Sequence, residues 1–121
     1  MHRRILVALA VVVTAALTSL AAQEVFTPKD GATLPVPVRQ VKAGYTAAAM
    51  DARIEGTVAM EVVVLADGKV GEVKVTQSLD TEYGLDTQAV EAIKQWLFKP
   101  GTKDGKPVAV RVAIEMTFTL K

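Results

Sequence analysis

The sequence predicts an α+β fold, a two-layer sandwich in which a three-stranded antiparallel sheet of order 2-1-3 carries two helices packed on one face. Three observations lead there. The runs Thr57 to Leu65 and Val108 to Leu120 have the two-residue period of strands, with one face apolar throughout. Between them, Ala89, Val90, Ile93, Trp96 and Leu97 recur at the spacing of one helical face. A sheet with one apolar face must be covered, and two helical segments are available to cover it.

The elements follow in order. Tyr45 to Arg53, "YTAAAMDAR", is rich in good helix formers and reads as a short helix. Gly56 ends it and opens the first strand, whose even positions Val58, Met60, Val62 and Val64 are all apolar. Asp67-Gly68 predicts a primed hairpin turn. Lys69 to Gln77 returns as the second strand, with a bulge at Gly71-Glu72 where the alternation breaks. Asp86 is placed to cap the second helix and Leu85 to staple onto Val90. Pro100 stops that helix, Trp96 and Phe98 beside its apolar stripe are read as core, and "GTKDGKPV" turns the chain into the last strand. The second-to-third connection contains a helix, so a right-handed crossover that skips one position sets the last strand antiparallel beside the first. The first strand is then central and the last is an edge.

Ahead of this domain, assigned to residues 39–121, lie two other segments. Residues 1–22 have a basic start at Arg3-Arg4, an apolar run from Ile5 to Leu17 interrupted by Thr14, and the small-x-small site Ser19-Leu20-Ala21. That order is a secretory signal peptide. The alternative is a retained membrane anchor, since Ile5 to Ala22 reaches the lower edge of the roughly 17 to 25 residues a spanning helix needs. Both readings export the rest of the chain, either released or held at the membrane by its N-terminal segment. Residues 23–38 hold three of the five prolines and read as a short tether.

Composition closes several functions. Without Arg3 and Arg4 the 14 basic residues become 12 against 13 acidic ones, a net charge near −1, which is no nucleic-acid footprint. The chain has no cysteine, and its one histidine, His2, lies in the leader. Nucleophilic catalysis assisted by His, and zinc or copper sites built from His and Cys, are therefore closed. Asp80, Glu82 and Asp86 could approach a cation through oxygen, but they lack the spacing of a calcium loop and are read as a solvated loop and helix cap. No enzyme, metal or cofactor is expected.

The last strand carries the functional signal. Thirteen alternating residues would extend about 43 Å, well beyond the nine-residue strand beside them. Between Val108 and Leu120 there is no proline or glycine, and Arg111 and Glu115 are the only charges, both on the outward face. Edges are ordinarily blunted by such devices. An open one accepts another strand, from an extended peptide or from a second copy of the same chain. A tether folded back onto the edge, or a strand that curls at its end, would close it instead.

The residues now assembled resemble a known family. Tyr45, Ile54-Glu55-Gly56-Thr57-Val58, Asp67-Gly68-Lys69-Val70, Leu85-Asp86, Ala89-Val90, Trp96-Leu97-Phe98-Lys99-Pro100 and Gly105-Lys106-Pro107-Val108 look like the C-terminal domain of the TonB family. The resemblance covers about Val38 to Lys121. It implies a periplasmic module whose third strand accepts the TonB box, an extended segment of an outer-membrane transporter, by strand addition. It also implies partnership with ExbB and ExbD where an N-terminal membrane helix is present. On this sequence the partner-binding positions become Lys42 and Tyr45 beside the strand, and Val108, Val110, Arg111, Val112, Ala113, Ile114, Glu115 and Thr117 along it. Gln23 to Val38 is far shorter than the proline-rich spacer of full-length transducers, and Ile5 to Ala22 lacks their histidine. A homodimer paired through the same edge is the alternative reading.

Overall fold

In the computed structural model, residues 24–120 are described, and the leader assigned to residues 1–22 lies outside them. Their strands are β1 (Val25–Phe26), β2 (Val36–Arg39), β3 (Gly56–Val64), β4 (Val70–Gln77), β5 (Leu97–Lys99), β6 (Thr102–Lys103), β7 (Lys106–Pro107) and β8 (Ala109–Phe118). The two α-helices are α1 (Ala47–Asp51) and α2 (Leu85–Ile93), and a 3-10 turn spans Pro28–Asp30.

The main sheet has the order β1-β8-β3-β4. Its inner three strands reproduce the expected order: β3 is central, with β4 and β8 antiparallel on either side. The expected three-stranded sheet is corrected by a fourth strand. Val25 and Phe26, from the stretch read as a tether, pair parallel with Ala109 and Val110. The physical cause is the open edge itself, whose bare N–H and C=O groups reward any β-prone residues that reach them. A second piece of that stretch, β2, pairs antiparallel with β5.

The β3–β8 register explains the core. Val58 lies opposite Met116, Met60 opposite Ile114, Val62 opposite Val112 and Val64 opposite Val110, so every even position shares one face. Leu85, Ala89, Ala92 and Ile93 of α2 and Ala49 of α1 cover that face. Met60, Leu85 and Ile93 are at most 1% exposed, and each contributes about 1.5–3 kcal/mol through removal from water. A smaller group, Ala32, Val63, Ala109 and Val110, is buried outside this cluster, and the turn at Pro28–Asp30 approaches β8.

Local expectations fare unevenly. The first helix is shorter than expected; Thr46 caps it by accepting from Ala49 N, and Arg53 leaves in the left-handed region at φ 55°. The Asp67-Gly68 turn is not a primed one. Only Gly68 has positive φ, at 87°, and Gly68 N donates to Leu65 O while Leu65 N donates to Lys69 O. This is a three-residue loop ending in a left-handed glycine, a common hairpin alternative. The bulge is present: between the pairs Val62–Val73 and Val64–Val70, β4 carries one extra residue, and another falls between Val75 and Gln77.

The second helix ends at Ile93 rather than running to Pro100. Leu97–Lys99 becomes a strand because β2 offers a partner, and the residue before a proline is in any case driven extended. Asp86 does not cap its own helix. Gly84 occupies that position, while Asp86 reaches back to accept from Leu79 N and Asp80 N, each 3.0 Å away, and from the Ser78 hydroxyl. Leu85, expected just before the helix, is its first residue and fully buried.

Candidate functional site

The last strand builds the site. β8 contains ten residues, and its pairing with β3 runs unbroken from Val110 to Phe118. The partnerless backbone expected from a 13-residue strand is therefore not an overhang. It is the outer edge of β8, which β1 covers at Ala109 and Val110 alone. From Arg111 to Phe118, no described strand pairs on that side. In an antiparallel ladder alternate residues turn both backbone groups away from their partner, so about four of these eight residues present N–H and C=O outward.

The two faces beside this edge differ. On the helix side, Val112 and Ile114 are half-buried and Met116 and Phe118 buried. On the other, Arg111 donates to Glu61 Oε1 at 3.1 Å and approaches Glu72 at 3.9 Å, which ties one charge across all three inner strands. Thr117 and Thr57 share a hydroxyl hydrogen bond of 3.0 Å, and Ala113 and Glu115 are exposed. The pair at Arg111 is about a third exposed and so weak in itself. What it does is hold the guanidinium in place beside the free edge.

At the C-terminal end of β8 the edge opens into a groove of about 200 Å³. Val41, Lys42, Ala43, Tyr45 and Trp96 line one side, and Met116 to Thr119 the other. Tyr45 is fixed twice over. Its hydroxyl donates to Ile54 O, and its ring meets Phe118 edge-on with centroids 5.5 Å apart. Burial pushes its pKa up, and the charge of Glu55 adds to that, so it is a neutral donor at neutral pH. Trp96 donates its indole N–H to Val41 O at 2.8 Å and leans on Phe98, which fastens the Val41–Tyr45 segment along the groove. Lys42 is exposed at the rim.

The fold thus brings Lys42, Tyr45 and Thr117 to one groove and sets Arg111, Val112, Ala113, Ile114 and Glu115 along the free edge leading to it. Val108 and Val110 sit apart. Val108 precedes the strand and donates its N–H to Gly101 O, and Val110 pairs with Phe26. Trp96 as a groove wall escaped the sequence reading, although a lone indole just beyond the helical stripe, needing a partner for its N–H, was the available sign.

In the acidic loop the carboxylates of Asp80 and Asp86 are taken up by the loop's own backbone. Asp80 Oδ1 accepts from Glu82 N and Tyr83 N, and Oδ2 from Leu85 N, all within 3.1 Å. Burial raises the Asp80 pKa, but these three backbone donors outweigh it and hold the carboxyl below its usual value. Asp86 is likewise raised by burial and carried below by Ser78, Asp80 and Leu79. Together the two carboxylates fasten the entry of α2 to the end of β4.

Comparison with known proteins agrees with this geometry. The family model for the Gram-negative bacterial TonB protein C-terminal region matches residues 41–120. Protein TonB of Vibrio cholerae is 43% identical over 82 residues, 68% of this chain and 33% of that protein. Protein tonB2 of Pseudomonas aeruginosa is 40% identical over 76 residues, 63% of this chain and 28% of that protein. The chain thus spans about a third of the length of the curated relatives it matches. The solution structure of the Pseudomonas aeruginosa TonB CTD superposes with a TM-score of 0.60 at 25% identity, covering 72% of this chain and 87% of that one.

Proposed function

Because the chain belongs to the Gram-negative bacterial TonB C-terminal family, we propose that it is a docking module of TonB-dependent transport, facing the periplasm. It takes up the TonB box of an outer-membrane transporter as an added strand on β8. The observation that carries this reading is the unpaired edge from Arg111 to Phe118, which ends in the groove at Tyr45 and Trp96.

The physical steps are few. An extended segment laid along the edge satisfies the outward N–H and C=O groups, each hydrogen bond contributing about 0.5–1.5 kcal/mol net. Ordering a flexible segment costs comparable free energy per residue, so the ladder alone yields only modest affinity. Side chains decide which segment stays. Arg111, Ala113, Glu115 and Thr117 meet residues that point to the open face. Alternate residues of the segment point toward the helix layer, and near Met116 one of them enters the groove beside Lys42 and Tyr45. The module binds and holds; no bond is made or broken by it, and energy transduction belongs to the larger assembly.

The test exploits the alternation. Of Val112 and Ala113, one turns its N–H toward β3 and the other turns it outward. Val112→Pro and Ala113→Pro are therefore expected to divide, one unfolding the sheet and the other leaving the melting curve nearly intact. A labelled synthetic peptide carrying a transporter TonB box is expected to bind the folded proline variant at least tenfold more weakly than the parent chain, read by fluorescence anisotropy. Unchanged binding to the folded variant would sink strand addition at this edge.

A further inference from the structure

The strand β1 occupies the docking edge but is held there by little. It forms two register pairs, Val25 with Ala109 and Phe26 with Val110, and Val25 remains 40% exposed. Beyond the ladder, Phe26 is half-buried and the Lys103 ammonium lies over its ring at 4.7 Å. The chain just after β1 is much better fastened. Thr33 N donates to Thr102 O at 2.8 Å, Thr102 N to Thr33 Oγ1 at 2.7 Å, and Ala32 is buried.

Between the two lies a self-contained turn. Asp30 accepts from the backbone and hydroxyl of Thr27, Asp30 N donates back to Thr27 O, and Gly31 closes the turn with φ 87°. These bonds stay inside the turn, so β1 can leave β8 without breaking any bond of the turn or of the Thr33–Thr102 anchor. We infer that β1 is a displaceable strap on the docking edge, which limits a bound strand to the eight positions from Arg111 to Phe118 and yields Ala109 and Val110 only to a longer strand that displaces it. The strap thereby selects partners by the length of their extended segment. Its consequence for binding rests on the strand-addition reading, whereas its detachment does not.

Two measurements on the same protein separate these. The chain has no cysteine, so Val25→Cys with Ala109→Cys places a lone pair of thiols at directly opposed positions that can be locked by oxidation and released by reduction. The first measurement is amide hydrogen exchange on the parent chain. Amides bonded between β1 and β8 are expected to exchange at least a hundredfold faster than those of the β3–β8 ladder. Equal protection of the two sets would overturn the strap.

The second is binding of end-blocked alternating Thr-Val peptides, one of six residues and one of ten. The six-residue probe is expected to bind the oxidised and reduced forms alike, and the ten-residue probe to bind the oxidised form at least tenfold more weakly. Equal binding of the longer probe to both forms would refute length selection while leaving docking intact. If neither probe binds either form, strand addition fails, and the exchange comparison alone decides whether β1 detaches. Phe26→Ala, which removes the ring beneath Lys103 and needs no disulfide, is expected to speed exchange at Ala109 and Val110 and to strengthen binding of the ten-residue probe.

Discussion

Asp80 and Asp86 show how single side chains set the shape of a junction. Five of their hydrogen bonds are to backbone N–H groups between Leu79 and Leu85, donors that a chain entering a helix would otherwise leave unpaired. Both folded pKa values lie below 3.8, the ordinary value the unfolded chain retains. Their contribution is accordingly present above about pH 4 and is lost as pH falls through the lower folded values. Thermal melts taken from pH 6 down to about pH 2 are expected to show a falling Tm below pH 4. In the double variant Asp80→Asn with Asp86→Asn, Tm starts lower at pH 6 and depends less on pH. A parallel decline in both proteins would assign the acid sensitivity elsewhere.

Gly68 makes a related point through the backbone. A Cβ there would stand 2.1 Å from Phe98 O, and φ is 87°. Phe98 N also donates to Gly68 O, so the hairpin tip touches β5 directly. Gly68→Ala is expected to cost at least about 1–3 kcal/mol, from the left-handed conformation alone and before the clash is counted. Denaturant midpoints would measure it, and a loss under about 0.5 kcal/mol would mean that the tip moves aside freely. The dipeptide Asp67-Gly68 announced a turn in the sequence. Which turn depended on the approach of β5, whose existence as a strand was not visible there.

Among the elements, β8 and β4 are opposite edges of the three inner strands with opposite treatment. β4 carries two bulges, each of which twists a strand and interrupts the row of groups it could offer. β8 pairs with β3 through nine consecutive positions without a shift, and its far side stays regular from Arg111 onward. The regularity was legible because Val108 to Leu120 alternates without interruption. The true limits of the strand were not. Val108 is drawn into a bond with Gly101, and β1 takes the next two positions.

The second helix illustrates the same division between pattern and partner. Ala89 and Ile93 were correctly placed on its buried face, since a 3.6-residue period needs no tertiary information. Trp96 and Leu97 continue that period on paper. In the fold the chain has already left the helix, and Leu97 is 38% exposed on a strand paired with β2. A run of "WLFK" before proline suits either state, and the presence of Val36 to Arg39 alongside settled it.

At the scale of the whole molecule, one cluster holds two layers together. Met60 sits in the middle of β3, 1% exposed, within the cluster that α2, β3 and β8 share. Met60→Ala is expected to destabilise the fold by about 2–5 kcal/mol, a large fraction of the roughly 5–15 kcal/mol a domain of this kind possesses. Urea denaturation followed by far-ultraviolet circular dichroism would read it. A cost near zero would place the true core elsewhere. Among the described residues no helix is long and apolar enough to cross a membrane.

By itself the sequence determined the α+β class, the central place of β3, the face that β3 and β8 bury, and the likeness to the TonB C-terminal family. These rest on periodicity and on short ordered motifs, which act locally and survive without knowledge of neighbours. The tertiary structure alone decided that β1 closes part of the outer edge of β8, that β2 turns Leu97 to Lys99 into a strand, and that Trp96, Tyr45 and Met116 to Thr119 enclose one groove. Each of these is a pairing between segments far apart in the chain, and its free energy comes from backbone groups and surfaces that are alike in nearly every residue. No local pattern can announce which distant segment will satisfy them; the packed fold selects it by proximity.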